Sequence, residues 1–254
     1  QMMNCDVFIP IRLANTRLPQ KAMKLVNGKP IITYLIERLL FTKKIRNIII
    51  CTTTMKSDDP LVDLLEKLNV KIFRGSESDI LIRYLHAARK FETDFIVSVD
   101  GDDVYTDIDY VDEIVSTYQK TNYDYIDMIE FPFGIASVGI KTSALEKICK
   151  LKQTENTDTG YRLFFTENNI FNVYQLKAEK EIVFPKNLRL TLDYEEDLVL
   201  AKEIFKNLGN DFHLQDILKL FTKNPKLLKI TSNLEEKYKE HWNKNLANTT
   251  IKNI

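Results

Sequence analysis

Arg12, Arg17 and Lys21 stand within ten residues of one another, directly after the apolar run 6–9, and no carboxylate interrupts the segment. Two planar guanidinium forks and a compact ammonium, with the amide of Asn15 and the hydroxyl of Thr16 between them, are donors suited to a polyphosphate. The same composition also describes a basic surface loop with solvated side chains. A second group is Asp100-Gly101-Asp102-Asp103, three carboxylates beside a glycine that lets backbone approach a ligand. Hard oxygen ligands suit Mg²⁺, with Asp102 the best placed, whereas an acidic turn capping the next helix would use the same residue types. Asp193 opens the acidic stretch Asp193-Tyr194-Glu195-Glu196-Asp197 and is either a helix cap or a further carboxylate of a site. In Arg74-Gly75-Ser76-Glu77-Ser78-Asp79-Ile80-Leu81-Ile82-Arg83-Tyr84, Ser78 or Asp79 can cap a helix, and Arg83 either reaches a ligand or pairs with Asp79 one turn earlier. His86, His213 and His241 are isolated, without a partner at zinc spacing, and are assigned no chemistry.

Placing these groups requires elements that end near one another. Apolar runs predict strands over 6–9, 47–51, 70–73 and 94–99, and apolar periodicity predicts helices over 29–41, 59–68, 79–91 and 107–120. This alternation specifies a parallel sheet covered on both faces, with ligands at the carboxyl ends of the strands. The cationic segment follows the first strand and the Asp100–Asp103 turn follows the fourth, so both fall on one rim. Beyond them, 125–140 has the aromatic and β-branched character of one or two strands broken around Pro132 and Gly134, and 142–151 reads as a helix. Aromatic residues near 123–133 suit a core strand more than a sugar-stacking platform. A polar loop over 153–161, strands over 171–176 and 188–192, and helices over 195–208, 214–221 and 234–245 complete the pattern.

At 254 residues and 44% hydrophobic composition, the chain can bury the core of one large α/β domain. Lysine and arginine together equal aspartate and glutamate at 36 each, so no global field draws the protein to nucleic acid or an anionic membrane, and any anion site is local. Cys5, Cys51 and Cys149 are far apart and odd in number, the usage of a reducing cytoplasm. No signal-peptide pattern or membrane-length apolar run is apparent.

Arg12-x4-Arg17-Leu18-Pro19-x-Lys21, after a first strand, resembles the signature of the cytidylyltransferase family. That family includes the 3-deoxy-manno-octulosonate and acylneuraminate cytidylyltransferases and the spore-coat polysaccharide F type. Gly101-Asp102 is similar to the family's metal-binding Gly-Asp pair, and Arg189-Leu190-Thr191-Leu192-Asp193 with Glu196-Asp197-Leu198 to its Arg-Leu-Thr-x-Asp-x-x-Glu-Asp-Leu stretch. The run from Arg74 to Tyr84 resembles the spore-coat-type Arg-Gly-Ser-x-x-Asp-Val-Leu-x-Arg-Tyr. The resemblance implies a Rossmann-like, three-layer α/β nucleotidyltransferase fold, with a mainly parallel sheet and a β extension. It also implies one domain over 1–254 with an acceptor and dimerisation segment at about 130–180.

The implied activity is transfer of CMP from CTP to a sugar acid with release of pyrophosphate. Catalysis falls to Arg12, Lys21, Asp102 and Asp193, and Mg²⁺ to Asp102 and Asp193. Substrate binding falls to Arg12, Asn15, Thr16, Arg17, Lys21, Arg83, Asp100 and Arg189. A cytoplasmic homodimer is implied as well. The chain departs from the family at Asp100, where relatives carry Gln or Thr, at Val104, often Pro, and at Tyr194-Glu195, usually Thr-Pro. A non-sugar acceptor such as a phosphonate, a glycosyltransferase using Asp100-x-Asp102, and a non-catalytic nucleotide-binding module are the alternatives. A turnover screen separates the first, pyrophosphate release the second, and CTP binding without turnover of any acid marks the third.

Overall fold

The computed structural model describes residues 3–14, 17–186, 188–234, 236–237 and 239–240. Asn15 and Thr16, expected at the site, lie outside the described residues, as do His241 and most of the helix expected over 234–245. The main sheet contains β1 (Cys5–Pro10), β4 (Ile48–Thr53), β5 (Lys71–Gly75), β6 (Phe95–Ser98), β7 (Tyr125–Met128), β8 (Val138–Lys141) and β9 (Val173–Leu176). A small hairpin pairs β2 (Leu25–Val26) with β3 (Lys29–Pro30). The helices are α1 (Ile31–Leu39), α2 (Asp59–Leu65), α3 (Ile80–Phe91), α4 (Ile108–Thr121), α5 (Thr142–Leu151), α6 (Leu163–Thr166), α7 (Glu195–Asn207) and α8 (Leu214–Lys223).

Strand order is β5-β4-β1-β6-β8-β7-β9, and β8 runs antiparallel to both of its neighbours while every other pairing is parallel. The three layers follow from period-two alternation in strands that are apolar on both sides. Val7, Ile9, Ile48 and Ile50 join the core built with α1, α4, α7 and α8. Phe8, Ile49 and Cys51 join the opposite core, under α3, α5 and α6. Because β1 and β6 are adjacent and parallel, the segments leaving them share one rim.

Two expected elements differ. The helix expected from residue 29 begins at Ile31, because Asn27 and Gly28 adopt positive φ (51° and 84°) and turn the chain through the small hairpin first. The strand expected over 188–192 is an extended thread with a single bridge between Arg189 and Phe133. It runs past the sheet rather than joining it, and Leu190 N–H donates to the Phe133 carbonyl at 2.7 Å. Gly134, with φ of 93°, permits this approach, since a Cβ there would stand 1.7 Å from the Leu190 carbonyl oxygen.

Arg38 clamps the far side of α1. Its buried guanidinium donates to the carbonyls of Asn210 (3.0 Å), Phe212 (2.9 Å) and Thr106 (2.8 Å), and lies over the Phe212 ring. Burial lowers its pKa to about 10 against the pull of Asp107 and Asp211, so it stays charged at neutral pH. Arg38→Met preserves most of the apolar stem but strips donors from those carbonyls. The expected loss is about 3–5 kcal/mol, read as a lower urea midpoint. An unchanged midpoint would show that the clamp carries no stability.

Candidate active site

The cationic segment is held by its apolar residues. Leu13 and Leu18 are buried, Leu13 N–H donates to Asp58 Oδ1 at 2.8 Å, and a short 3₁₀ turn, Lys21–Met23, follows Gln20 in the left-handed region. The leucines anchor the loop while Arg12, Arg17 and Lys21 face a cleft of about 870 Å³. Asp100, Asp102, Asp103 and Asp193 line the same cleft.

Asp193 reaches it because residues 188–193 thread past the acidic turn. Leu192 N–H donates to the Asp102 carbonyl (3.0 Å), and Thr191 Oγ1 to Asp103 Oδ1 (3.0 Å). Asp197, not Asp193, serves the start of α7, accepting the N–H groups of Asp193 (2.8 Å) and Tyr194 (2.9 Å) on Oδ2. The Asp193 carboxylate turns instead to the cations: Lys21 Nζ is 3.1 Å and Arg17 Nη2 2.9 Å from its Oδ1. Likewise the turn at residues 100–103 does not cap α4. That cap is Asp107, whose Oδ1 accepts from the N–H groups of Asp109 and Tyr110.

Lys21 Nζ also lies 2.7 Å from Asp102 Oδ2, so a single ammonium bridges Asp102 and Asp193. Burial works against its charge, but the two carboxylates prevail and hold the pKa above the ordinary lysine range. Burial in the cleft, with Asp100 and Asp193 nearby, pushes the Asp102 carboxyl up to about 7 even though Lys21 pulls it down. Its side chain is still 30% exposed, so a second cation can reach it. Converging carboxylates of this kind gain from a compact divalent cation, and the Asp102 and Asp193 oxygens already approach one common positive charge. They fit a hard divalent metal.

The remaining expected residues are less direct. Arg12 Nη2 is 2.6 Å from the carboxylate of Asp158, which is 3.8 Å from Arg83 Nη2. Arg83 does not pair with Asp79. It is buried and donates to the carbonyls of Ser76 (2.7 Å), Cys51 (3.3 Å) and Glu77 (2.9 Å), fixing the turn before α3 at the cleft wall. Asp79 caps α3 through Ile82 N–H and binds Lys152 and Thr157. Arg189, expected to bind substrate, is fully buried and grips Asp197 through two 2.9 Å bonds, so its contribution is to position the turn carrying Asp193. Asp100 Oδ1 accepts Asp102 N–H at 2.9 Å and shapes the acidic turn. Asp158, Tyr161 and Arg162 also line the cleft, from a stretch that in sequence is polar and without a motif.

The cytidylyltransferase family model matches residues 7–237. The chain is 32% identical to uncharacterized protein MJ1063 of Methanocaldococcus jannaschii over 92% of this chain and 97% of that one. It is 25% identical to spore coat polysaccharide biosynthesis protein SpsF of Bacillus subtilis, over 88% and 96%. With 3-deoxy-manno-octulosonate cytidylyltransferase 2 of Hydrogenovibrio crunogenus it shares 29% identity over 66% of each chain. Among solved structures, a cytidylyltransferase from Leptospira borgpetersenii superposes with a TM-score of 0.80 at 27% identity, over 89% of this chain and 97% of that one. A strand-end cationic loop facing two convergent carboxylates, on a mainly parallel sheet, thus coincides with a family match over most of the chain: this protein belongs to the cytidylyltransferase family.

Proposed function

We propose that the protein transfers the CMP group of CTP to a hydroxyl of a sugar acid such as a 3-deoxy-manno-octulosonate or a nonulosonate, in the presence of Mg²⁺. The observation that carries this reading is the convergence of Asp102 and Asp193 on Lys21, beside Arg17 and at the foot of the loop that begins with Arg12. The acceptor hydroxyl's oxygen forms a bond to the α-phosphorus and its proton passes to solvent, while the bond from that phosphorus to the bridging oxygen of the β-phosphate breaks and pyrophosphate leaves with the electron pair. The chain's part is to orient the two reactants and to place positive charge where negative charge grows. Arg12, Arg17 and Lys21 would lie along the β- and γ-phosphates and follow the departing pyrophosphate. Asp102 and Asp193 would hold the metal, which when bound supplies Lewis-acid polarisation and lowers the pKa of a coordinated hydroxyl.

Membership of the family supports a CTP substrate, and the names of the relatives support an acidic acceptor on a route to surface polysaccharide. A cytoplasmic homodimer belongs to the same reading. Among the described residues no helix is long and apolar enough to cross a membrane, and the net charge is zero. The test is a pyrophosphate-release assay with CTP, Mg²⁺ and a panel of acids including 3-deoxy-manno-octulosonate and N-acetylneuraminate, with the nucleotide product identified by mass. CMP-sugar and pyrophosphate in equal amounts are expected. Binding of CTP without turnover of any acceptor would leave a nucleotide-binding module and overturn the enzymatic reading.

A further inference from the structure

The sheet continues past β6 into β8 and β7, and the cleft beside them has a floor of hydroxyl groups. Ser98 Oγ accepts from Tyr161 Oη at 2.8 Å and lies 2.6 Å from Tyr84 Oη. Tyr125, two residues before Asp127 on the same face of β7, lines the cleft, is fully buried, and stacks on Phe165 with ring centroids 4.7 Å apart. Its hydroxyl has no hydrogen-bond partner among the described residues. A buried phenol without a partner costs stability that phenylalanine of the same shape would not. Beside it stands Arg162, 45% exposed, whose Nε and Nη2 donate to Asp127 at 2.5–3.1 Å. This pairing fixes the guanidinium plane and leaves the Nη1 side of the fork for another acceptor.

We propose that Tyr125 and Arg162 form the subsite for the acceptor's carboxylate. The inference rests on the reading of the protein as a cytidylyltransferase acting on an acid, and it names the residues that select that acid. Two donors, one neutral and one cationic, match the two oxygens of a carboxylate. Sheet order also places the acidic turn after β6 between β7, which carries Tyr125, and β1, which leads into Arg12. Asp127 then acts as the positioning residue for Arg162.

Tyr125→Phe removes only the unpartnered oxygen, so the variant should melt no lower than the parent. Steady-state kinetics with 3-deoxy-manno-octulosonate, N-acetylneuraminate and the methyl ester of N-acetylneuraminate provide the test. The parent should favour the free acids over the ester. In Tyr125→Phe, KM for the acid it uses should rise about tenfold, the worth of a hydrogen bond to a charged group, with KM for CTP unchanged and the preference over the ester reduced. An unchanged acid KM, or a CTP KM that rises in step with it, overturns the subsite. If the parent uses CTP with a neutral acceptor but with no acid, the subsite is wrong while cytidylyl transfer stands. If it neither binds CTP nor releases pyrophosphate, both readings fall.

Discussion

Lys21→Met is expected to lower kcat by about 100-fold or more, while the magnesium concentration needed for half-maximal activity stays level or falls. The effect originates in the bridge between Asp102 and Asp193. Lys21 is charged at any working pH, because Asp102 and Asp193 hold its pKa above the ordinary lysine range against the effect of burial. Its ammonium offsets part of the charge of the two carboxylates, and during transfer the same charge would follow the departing pyrophosphate. Methionine fills the volume and removes the charge. The transition state then loses a fixed cation, whereas a metal competing for the carboxylates meets less opposition. That split between kcat and metal requirement distinguishes an electrostatic catalyst from a packing residue. A kcat within about twofold of the parent would sink the assignment, as would a shift confined to the melting temperature.

Much of the rim was legible because local chemistry and tertiary placement agree there. The loop with Arg12, Arg17 and Lys21 and the turn with Asp102 each leave a strand with an unambiguous apolar run, and parallel strands must carry both to one edge. The thread at residues 188–193 was harder to read. Its alternation of Leu188, Leu190 and Leu192 is that of a strand, yet these leucines are buried without a strand partner along their length, and Gly134 provides the close approach instead. Arg189 and Arg83 show a different difficulty: a sequence shows a cation but not the carbonyls and carboxylates that engage it. At Asn27-Gly28 the residue types suit positive φ, and the hairpin they start takes up the first residues of the stretch whose apolar periodicity reads as helix. Asp158 and Arg162 carried no local signal, because what marks them is a partner 146 residues away and a carboxylate on β7, and Tyr125 read only as one aromatic of a core strand, since what marks it is a hydroxyl without a partner among the described residues.

Asp193→Asn is expected to reduce kcat on the order of 10²–10³-fold and to raise the magnesium concentration required for turnover, with little change in melting temperature. Asparagine keeps the size of the side chain and one oxygen but removes the anionic ligand. The structure separates the two roles open to this residue, because Asp197 rather than Asp193 receives the N–H groups at the start of α7. Loss of a cap would cost about 1 kcal/mol of stability and leave the metal requirement untouched. Loss of a metal ligand would do the reverse. Asp102→Asn should behave alike, since the two carboxylates meet at the same cation, and the double variant should cost far less than the product of the single losses because either one dismantles the pair. The comparison with Lys21→Met is then decisive, since carboxylate variants and the lysine variant move the magnesium requirement differently. Should Asp193→Asn fold normally with a magnesium titration that overlays the parent curve, Asp193 holds Lys21 and Arg17 in place and the two-carboxylate metal site is wrong.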